Sequence, residues 1–376
     1  MLSPMFSALL RRLPRRILIL AGSVIVGLAP VNAADNAANP EAAKSCSGLD
    51  CSAVIPSTPR FHRDHYNPAV VHIRFTEMDS GTGSDRSDAF LDLTLINASG
   101  AVEGIRVELS SQNFRKQLRS LYRQLSRQDP LRTDDPSSPS RQLHDLFFGA
   151  LTPFLVEQRI TTLLIAADRG LQAVPFAALH DGETFFGVRY AFSITPSLAL
   201  TDFSVSGQPG RRLLAFGASE FKDLVSLPLV PQEISGIGSS ARKDQFLNQE
   251  FTPSRLLEKA SESTYNQLHV ATHAEFSPGG PKASRLHSGT GPISMDTLAR
   301  LRNQRKGVPL DLVVFSACRT ALGDDEAELG FSGLALQAGA RSAIGTLWYV
   351  DDVATSAYFV QMYRYLEQGI PKAEAM

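Results

Sequence analysis

The amino-acid sequence predicts an α/β fold in which helices cover both faces of a mostly parallel sheet. Two observations predict it. Beyond residue 160, short apolar runs of strand length alternate with segments of helical periodicity, which is the pattern of consecutive βαβ units. Hydrophobic residues make up 43% of the 376-residue chain, which is enough to bury a sizeable core. A smaller region of β-hairpin and helix precedes this part of the chain.

Composition and charge exclude several classes of protein. The hydrophobic fraction rules out a wholly disordered or fibrous chain. The 37 Lys and Arg residues nearly balance the 38 Asp and Glu residues. A nucleic-acid partner is therefore not expected, because neutralising phosphates requires a basic excess or a basic face. The three cysteines are too few for a disulfide scaffold.

The first residues read as a targeting signal. A basic stretch at Arg11–Arg16 precedes an apolar stretch from Ile17 to Pro30, and small residues then fit cleavage after Ala33 or Ala34. An uncleaved anchor is the alternative, but about 14 apolar residues are short for a span that needs about 20. The sequence thus predicts a signal peptide over 1–33 and an exported protein, periplasmic or extracellular, without a stable membrane span after cleavage.

Export changes how the cysteines are interpreted. Cys46 and Cys51 lie in a polar stretch just past the cleavage site, where an oxidising compartment would allow them to close a small loop as a disulfide. A metal site would need more ligands than His62 and His65 supply nearby, so no metal is predicted. Cys318 is then left without a partner cysteine, and it is either a buried inert thiol or a reactive one.

Predicted elements follow in order along the chain. Residues 34–66 are polar and contain three prolines, which is typical of a linker. Strands are predicted at Ala69–Phe75, Phe90–Ile96, Val102–Leu109, Thr162–Ala167, Leu213–Phe216, Gln267–Thr272, Leu310–Ala317 and Ser342–Leu347. Helices are predicted at Ser110–Ser126, Arg141–Glu157, Pro231–Arg242, Thr252–Ser261, Ser294–Arg302, Leu329–Gln337 and Asp352–Glu367. A turn at Asn97–Gly100 is expected to join two strands as a hairpin, and Gly339 and Gly369 stand where C-terminal helix caps belong.

Two predicted strands end in reactive residues. His273 follows the strand at Gln267–Thr272, and Cys318 follows the strand at Leu310–Ala317. The carboxyl ends of parallel strands gather at one edge of a sheet, so neighbouring strands would bring the imidazole and the thiol together. A histidine beside a cysteine can accept the thiol proton, and the thiolate can then attack a carbonyl carbon.

Each of the two residues has a structural alternative. A cysteine that ends an apolar strand is commonly a small buried side chain. A single histidine is commonly a hydrogen-bonded residue without a catalytic role. Their joint placement at strand ends favours the reactive interpretation. His269 is a competing base, but its position inside the strand favours a buried structural role, so His273 is preferred.

Several segments together resemble the CHAT family of caspase-like proteins, which belongs with the clan CD type of cysteine peptidase. The segments that carry the resemblance are Leu268–His273, Phe315–Gly323, Ala338–Ser342, Leu347–Asp352, Gly170–Gly182 and Thr195–Ser197. The likeness spans about residues 145–376, with a looser likeness over 67–144. It is specific because the motifs occur in the order that the family has.

The resemblance implies a caspase-like fold and a cysteine peptidase with no cofactor. By that likeness His273 is the general base and acid and Cys318 is the nucleophile. The backbone N–H groups of Ala274 and Cys318 would form the oxyanion hole. Ala274 stands where the family pattern often has glycine, so this loop has less conformational freedom here.

Charged residues beside the dyad are candidates for substrate binding. Arg319 could lower the pKa of the thiol or pair with nearby acids. Asp351 and Asp352 follow a strand end, where either could line a pocket for a basic substrate residue, although both also fit the N-cap of the helix that follows.

The sequence therefore supports two main functions. The first is an endopeptidase that cleaves protein or peptide substrates through a thioester. The second is a catalytically silent binding or signalling module that keeps the fold, with a regulatory protein partner possible in either case. A thiol redox protein would need a resolving cysteine near Cys318, and none is close in sequence.

Overall fold

A computed structural model describes residues 24–26, 65–78, 87–168, 170–201, 212–238, 242–275, 284–294, 298, 300–317, 330–347 and 352–376. The chain forms two compact units, one containing Phe61–Ser206 and the other containing Gly207–Met376. The proposed signal peptide and linker lie outside the described residues, apart from the strand Val24–Val26 and residues 65–66. The assignment of the signal peptide and of the linker stays a prediction. So does the boundary at residue 145 between the N-terminal region (67–144) and the main caspase-like region (145–376).

The elements are numbered along the chain. The strands are β1 (Val24–Val26), β2 (Pro68–Glu77), β3 (Ala89–Asn97), β4 (Val102–Leu109), β5 (Thr162–Ala167), β6 (Ala191–Thr195), β7 (Arg212–Gly217), β8 (Arg242–Leu247), β9 (Gln267–Ala271), β10 (Ala274–Glu275), β11 (Arg285–His287), β12 (Pro292–Ser294), β13 (Leu312–Ser316) and β14 (Ala343–Thr346). The α-helices are α1 (Ser111–Arg127), α2 (Pro139–His144), α3 (Thr152–Glu157), α4 (Phe186–Arg189), α5 (Val230–Gly236), α6 (Pro253–Ser261), α7 (Leu301–Gln304), α8 (Gly330–Gln337), α9 (Asp352–Glu367) and α10 (Lys372–Ala375).

The first unit contains a five-stranded mixed sheet in the order β4–β3–β2–β5–β6. The pairs β4–β3 and β3–β2 are antiparallel, whereas β2–β5 and β5–β6 are parallel. The predicted hairpin between β3 and β4 is confirmed. Its turn is closed by the Asn97 carboxamide oxygen, which accepts the N–H groups of Ser99 and Ala101, each at 3.0 Å. Gly100 supplies the positive φ of 85° that the turn requires.

The helices of this unit follow the sequence pattern only in part. The predicted first helix is confirmed as α1, with Ser110 at the N-cap and Phe114, Leu121 and Leu125 buried. The predicted continuous helix over Arg141–Glu157 is wrong, because α2 ends at His144 and a π-helical turn separates it from α3. Gly149 disfavours helix, and Pro153, which has no N–H to donate, fits only the first turn of a new helix.

The second unit contains a parallel sheet in the order β1–β14–β13–β9–β7–β8. Alternate residues of each inner strand face opposite sides, so two apolar cores form. One core packs β7, β9 and β13 against α6, α7 and α8, and the other packs them against α5 and α9. The predicted α/β arrangement with helices on both faces is thereby confirmed.

Other differences from the predicted elements have simple causes. The predicted helix at Pro231–Arg242 ends at Gly236, and Arg242 begins β8 instead. β8 is the outer strand of its sheet, and its charged residues gave no apolar run to detect. The predicted helix at Ser294–Arg302 is wrong at its first residue, since Ser294 ends β12. Leu298 is helical, and α7 begins at Leu301. β6 and the small antiparallel sheet β10–β11–β12 were not predicted.

Within the described part of the chain, no helix combines the length and the apolar character that crossing a membrane requires.

Candidate active site

The two strands that precede His273 and Cys318 are direct neighbours. β9 and β13 pair in parallel, with Gln267 opposite Leu312 and Ala271 opposite Ser316. One residue further, the Thr272 N–H donates to the Ser316 carbonyl at 3.1 Å. Both strands therefore end at the same level of one sheet edge, so the condition on which the sequence argument depended, that the two strands are neighbours, is met.

The structure describes some of the predicted site residues and not others. His273 directly follows this edge, Ala274 begins β10, and Asp352 begins α9. Ala317, the last described residue before Cys318, is buried with 4% exposure. The predicted residues Cys46, Cys51, Cys318, Arg319 and Asp351 lie outside the described residues. The roles assigned to these five stay predictions.

The imidazole of His273 is half-buried and oriented by two contacts. Its Nε2 lies 2.7 Å from the Val225 carbonyl oxygen, and its ring centroid lies 4.8 Å from that of Phe221. A carbonyl can only accept, so Nε2 carries the proton and donates. In the neutral ring this tautomer leaves the lone pair on Nδ1, which is the atom able to accept a proton from a neighbouring group.

The backbone on either side of His273 is also held. Its carbonyl accepts the His287 N–H at 3.0 Å. The Thr272 hydroxyl donates to the His287 carbonyl. Thr272 and His273, which are consecutive in the chain, therefore both bind His287 of β11. These bonds attach the small antiparallel sheet to the edge where β9 ends.

Ala274 has a geometry that suits its predicted part in an oxyanion hole. It lies opposite Leu286 in the β10–β11 pairing. The adjacent bond from the His287 N–H to the His273 carbonyl makes Ala274 and Leu286 a non-hydrogen-bonded pair. The Ala274 N–H consequently points away from β11.

The segment 219–229, which supplies Val225, is fixed at both ends. The Ser219 N–H donates to the Asn248 side chain at 2.8 Å, and the Leu227 N–H donates to the Ser219 carbonyl at 2.9 Å. At the other end, the Leu229 N–H donates to the Asp352 carboxylate at 3.2 Å. Asp352 thus binds the backbone that precedes α5, a role that neither of its two sequence interpretations included.

His269 lies inside β9 and is fully buried, as its position in the strand predicted. Its Nε2 lies 2.8 Å from the Glu233 carboxylate of α5, and its ring packs edge-on against Phe359 and Tyr363 of α9. Burial raises the pKa of the Tyr363 hydroxyl, and the nearby carboxylate of Glu233 adds to this effect. The contact between His269 and Glu233 joins β9 to the helices on one face of the sheet.

The partners of the histidines were not found from the sequence. Val225 acts through its backbone carbonyl, which carries no sequence signature. Glu233 leaves a weak signal, a carboxylate between the apolar residues Val230 and Ile234 of α5. Among the residues that the structure describes, no group of three or more His, Cys, Asp or Glu side chains is arranged to hold a metal ion.

Comparisons with known proteins agree with this architecture. In a comparison with solved structures, the chain is similar to separase in the crystal structure of the Saccharomyces cerevisiae separase–securin complex, with a TM-score of 0.50 and 12% identity. The match covers 83% of this chain and 28% of that chain, so this chain spans under a third of its length. At this identity the likeness shows the fold, and it confirms the expected caspase-like α/β architecture.

A comparison with curated proteins finds no match. The family model of the CHAT domain, in contrast, matches residues 137–376, which is well over half of the chain. The chain belongs to the CHAT domain family.

Proposed function

We propose that this protein is a cysteine endopeptidase in which His273 and Cys318 form the catalytic dyad. The observation that carries the proposal is the register of β9 and β13, which brings the ends of the histidine and cysteine strands to one level of one edge. The bond from Thr272 to Ser316 extends this pairing to the residue before His273. Membership in the CHAT family supports the same assignment.

The orientation of His273 suits it to be the general base. Because Nε2 donates to Val225, Nδ1 is the atom that would take the thiol proton of Cys318. The resulting thiolate attacks the carbonyl carbon of the scissile peptide, and the π electrons of that carbonyl move to its oxygen. The intermediate then breaks its C–N bond, and the imidazolium returns the proton to the leaving amine.

Water completes the cycle. It attacks the thioester while Nδ1 of His273 accepts one of its protons, and the carbon–sulfur bond breaks as the acid product leaves. The proton returns to the sulfur of Cys318. During both steps the N–H groups of Ala274 and Cys318 would bind the developing oxyanion, and the outward direction of the Ala274 N–H supports that role.

The partners proposed for the enzyme are proteins. The substrate is a protein or peptide, since the chemistry attacks an amide carbonyl. The solved relative is a complex of separase with securin, which supports a regulatory protein partner for this chain as well. The basic and apolar start of the sequence supports export, so we place the activity in the periplasm or outside the cell.

The proposal is tested by measuring the rate at which iodoacetamide alkylates Cys318 as a function of pH. Mass spectrometry of peptides separates Cys318 from Cys46 and Cys51. An unperturbed thiol titrates near pH ~8.5. We expect fast labelling below neutral pH in the wild-type protein and loss of this phase in His273→Ala, but not in the control His72→Ala, which changes a histidine of β2 in the first unit.

Slow labelling that His273→Ala does not alter would contradict the proposal. It would identify Cys318 as a structural thiol and favour the silent binding module. Labelling that is fast in all three proteins would show a reactive cysteine that does not depend on this histidine, which also contradicts the dyad.

A further inference from the structure

The residue before the proposed nucleophile is held by a buried side chain. The Thr346 hydroxyl, at the end of β14, donates to the Ala317 carbonyl at 2.7 Å. Thr346 is 1% exposed and Ala317 is 4% exposed. The backbone pairing of β13 with β14 joins Val313 to Ala343 and Val314 to Ile344. Closer to the site, a side chain from β14 binds the backbone beyond the end of β13.

We propose that Thr346 is a positioning residue for the oxyanion hole, an inference that rests on the proposed function. The Ala317 carbonyl and the next N–H belong to one planar trans peptide unit, in which the two groups point in opposite directions. A hydrogen bond that fixes the direction of the carbonyl therefore fixes the direction of the N–H. That N–H is the backbone donor that Cys318 contributes to the oxyanion hole.

The bond also makes this N–H a stronger donor. An amide whose carbonyl accepts a hydrogen bond is polarised, and its N–H then donates more strongly. Burial adds to the effect, because the low effective dielectric of the interior strengthens electrostatic interactions. Thr346 does not touch the substrate in this scheme. It acts through the peptide unit that follows Ala317.

Two reactions of Cys318 separate this role from a general structural one. Alkylation by iodoacetamide is a substitution at a saturated carbon: the carbon–sulfur bond forms, iodide leaves, and no oxyanion develops. Acylation by p-nitrophenyl acetate passes through a tetrahedral oxyanion before p-nitrophenolate leaves. A defect confined to the N–H donor slows the second reaction and spares the first.

The experiment compares the wild-type chain with Thr346→Val, Thr346→Ser and the control Thr162→Val. Valine keeps the shape of threonine without the hydroxyl, serine keeps the hydroxyl, and Thr162 is an equally buried strand threonine of β5 in the first unit. Each protein is alkylated with iodoacetamide and acylated with p-nitrophenyl acetate, and the p-nitrophenolate burst is followed by absorbance. Mass spectrometry confirms that Cys318 carries the acyl group.

We expect Thr346→Val to slow acylation by about 10-fold or more, since loss of an oxyanion-hole donor typically costs ~100-fold or more and the N–H here is misdirected rather than removed. Its alkylation rate should stay within about two-fold of wild type. Thr346→Ser should recover most of the acylation rate, and Thr162→Val should match wild type in both reactions.

Equal slowing of both reactions in Thr346→Val, or no slowing of either, would overturn the proposal for Thr346 while leaving the dyad in place. A wild-type chain in which Cys318 is neither alkylated rapidly nor acylated would instead overturn the proposed function, and this inference with it. Serine that fails to restore acylation would assign the effect to the packing of Thr346 and not to its hydroxyl.

Discussion

Nε2 of His269 lies 2.8 Å from Oε1 of Glu233, and both side chains are almost fully buried, with 0% and 1% exposure. The pair connects the middle of β9 with α5. α5 is preceded by the segment whose Val225 carbonyl orients His273. A buried polar contact on one face of the sheet is thus linked through a helix to the proposed base at the sheet edge.

Replacing Glu233 by alanine should lower the free energy of unfolding by about 1–3 kcal/mol, because removing one partner leaves the other polar group buried without its hydrogen bond. Glu233→Gln should cost less, since the amide can still bind the imidazole. Urea unfolding can be followed by circular dichroism and by fluorescence of Trp348, the only tryptophan of the chain.

The control for this pair is Glu262→Ala. Glu262 and Lys259 form an ion pair at 2.9 Å in the same unit, but their side chains are 38% and 30% exposed. Partly exposed pairs contribute about 0–1 kcal/mol. A loss as large in this control as in Glu233→Ala would contradict the importance assigned to the buried pair.

Gly217→Ala should destabilise the second unit. A Cβ at this position, where β7 ends, would lie 2.7–2.8 Å from side-chain atoms of Val230, Ile234 and Leu247, which is too close. Overpacking of this kind costs about 1–3 kcal/mol. Gly104→Ala in β4 is the matched control, since nothing lies within 4 Å of its Cβ. Thermal unfolding by circular dichroism should separate the two variants, and equal midpoints would refute the prediction.

Acid should weaken the contact between Asp88 and Ser111. The Ser111 N–H donates to the Asp88 carboxylate at 2.6 Å and the Ser111 hydroxyl donates at 2.8 Å, and these bonds hold the Asp88 pKa below its usual value of 3.8. A folded-state pKa that is depressed stabilises the fold above the unfolded pKa, and the stabilisation is lost as pH falls through the folded value.

Asp88→Asn tests the sign of this effect. The variant should be less stable than wild type near neutral pH, and the difference should shrink as pH falls below ~4, where the wild-type carboxylate also takes up a proton. Unfolding curves at several pH values measure the difference. A stability difference between wild type and variant that is the same at every pH would show that Ser111 does not stabilise the charge of Asp88.

Variants of Asp352 can show whether its carboxylate positions the backbone before α5 or binds a basic residue of the substrate. Its carboxylate accepts the Leu229 N–H, which precedes α5. If this bond is its function, Asp352→Asn should keep most of the Cys318 alkylation rate and Asp352→Ala should lose it, because an amide oxygen still accepts. Cleavage of neutral and basic peptides supplies the contrast: a loss confined to basic peptides, equal in both variants, would assign the charge to substrate recognition.

The three cysteines should differ in reactivity. We predict that Cys46 and Cys51 form a disulfide and that Cys318 does not. Thiol titration of the unfolded, unreduced protein should then give one thiol per chain, and reduction should give all three. Three thiols before reduction would exclude the disulfide, and a peptide map that joins Cys318 to another cysteine would exclude a free nucleophile.

The sequence predicted the sheet of the second unit well because its inner strands are buried on both sides. β13 is an almost continuous apolar run, and β9 is apolar apart from Gln267 and His269, so both were detected as buried strands. β8 was missed because an outer strand with three charged residues lacks such a run. The break between α2 and α3 was missed, because the apolar periodicity of the sequence continues across it.

The contacts around the proposed site were harder to infer for a different reason. The bond from His273 to Val225 uses a carbonyl that any residue would supply, so only the path of segment 219–229 determines it. Thr346 binds the carbonyl of Ala317, just beyond the end of the neighbouring strand β13, and this contact depends on where β13 and β14 end relative to each other. Such contacts follow from the register of the strands. Residue type indicated His273, Cys318, Arg319, Asp351 and Asp352, and the family resemblance indicated the backbone of Ala274.

The attachment of β11 to the end of β9 has a consequence for the energetics of the proposed reaction. With the His273 carbonyl and the Thr272 hydroxyl both bound to His287, the backbone of the proposed base loses its conformational freedom when the chain folds. That entropy is then not lost again when a substrate binds. A base on an unattached loop would have to be ordered in each turnover, and part of the binding energy would be consumed in doing so.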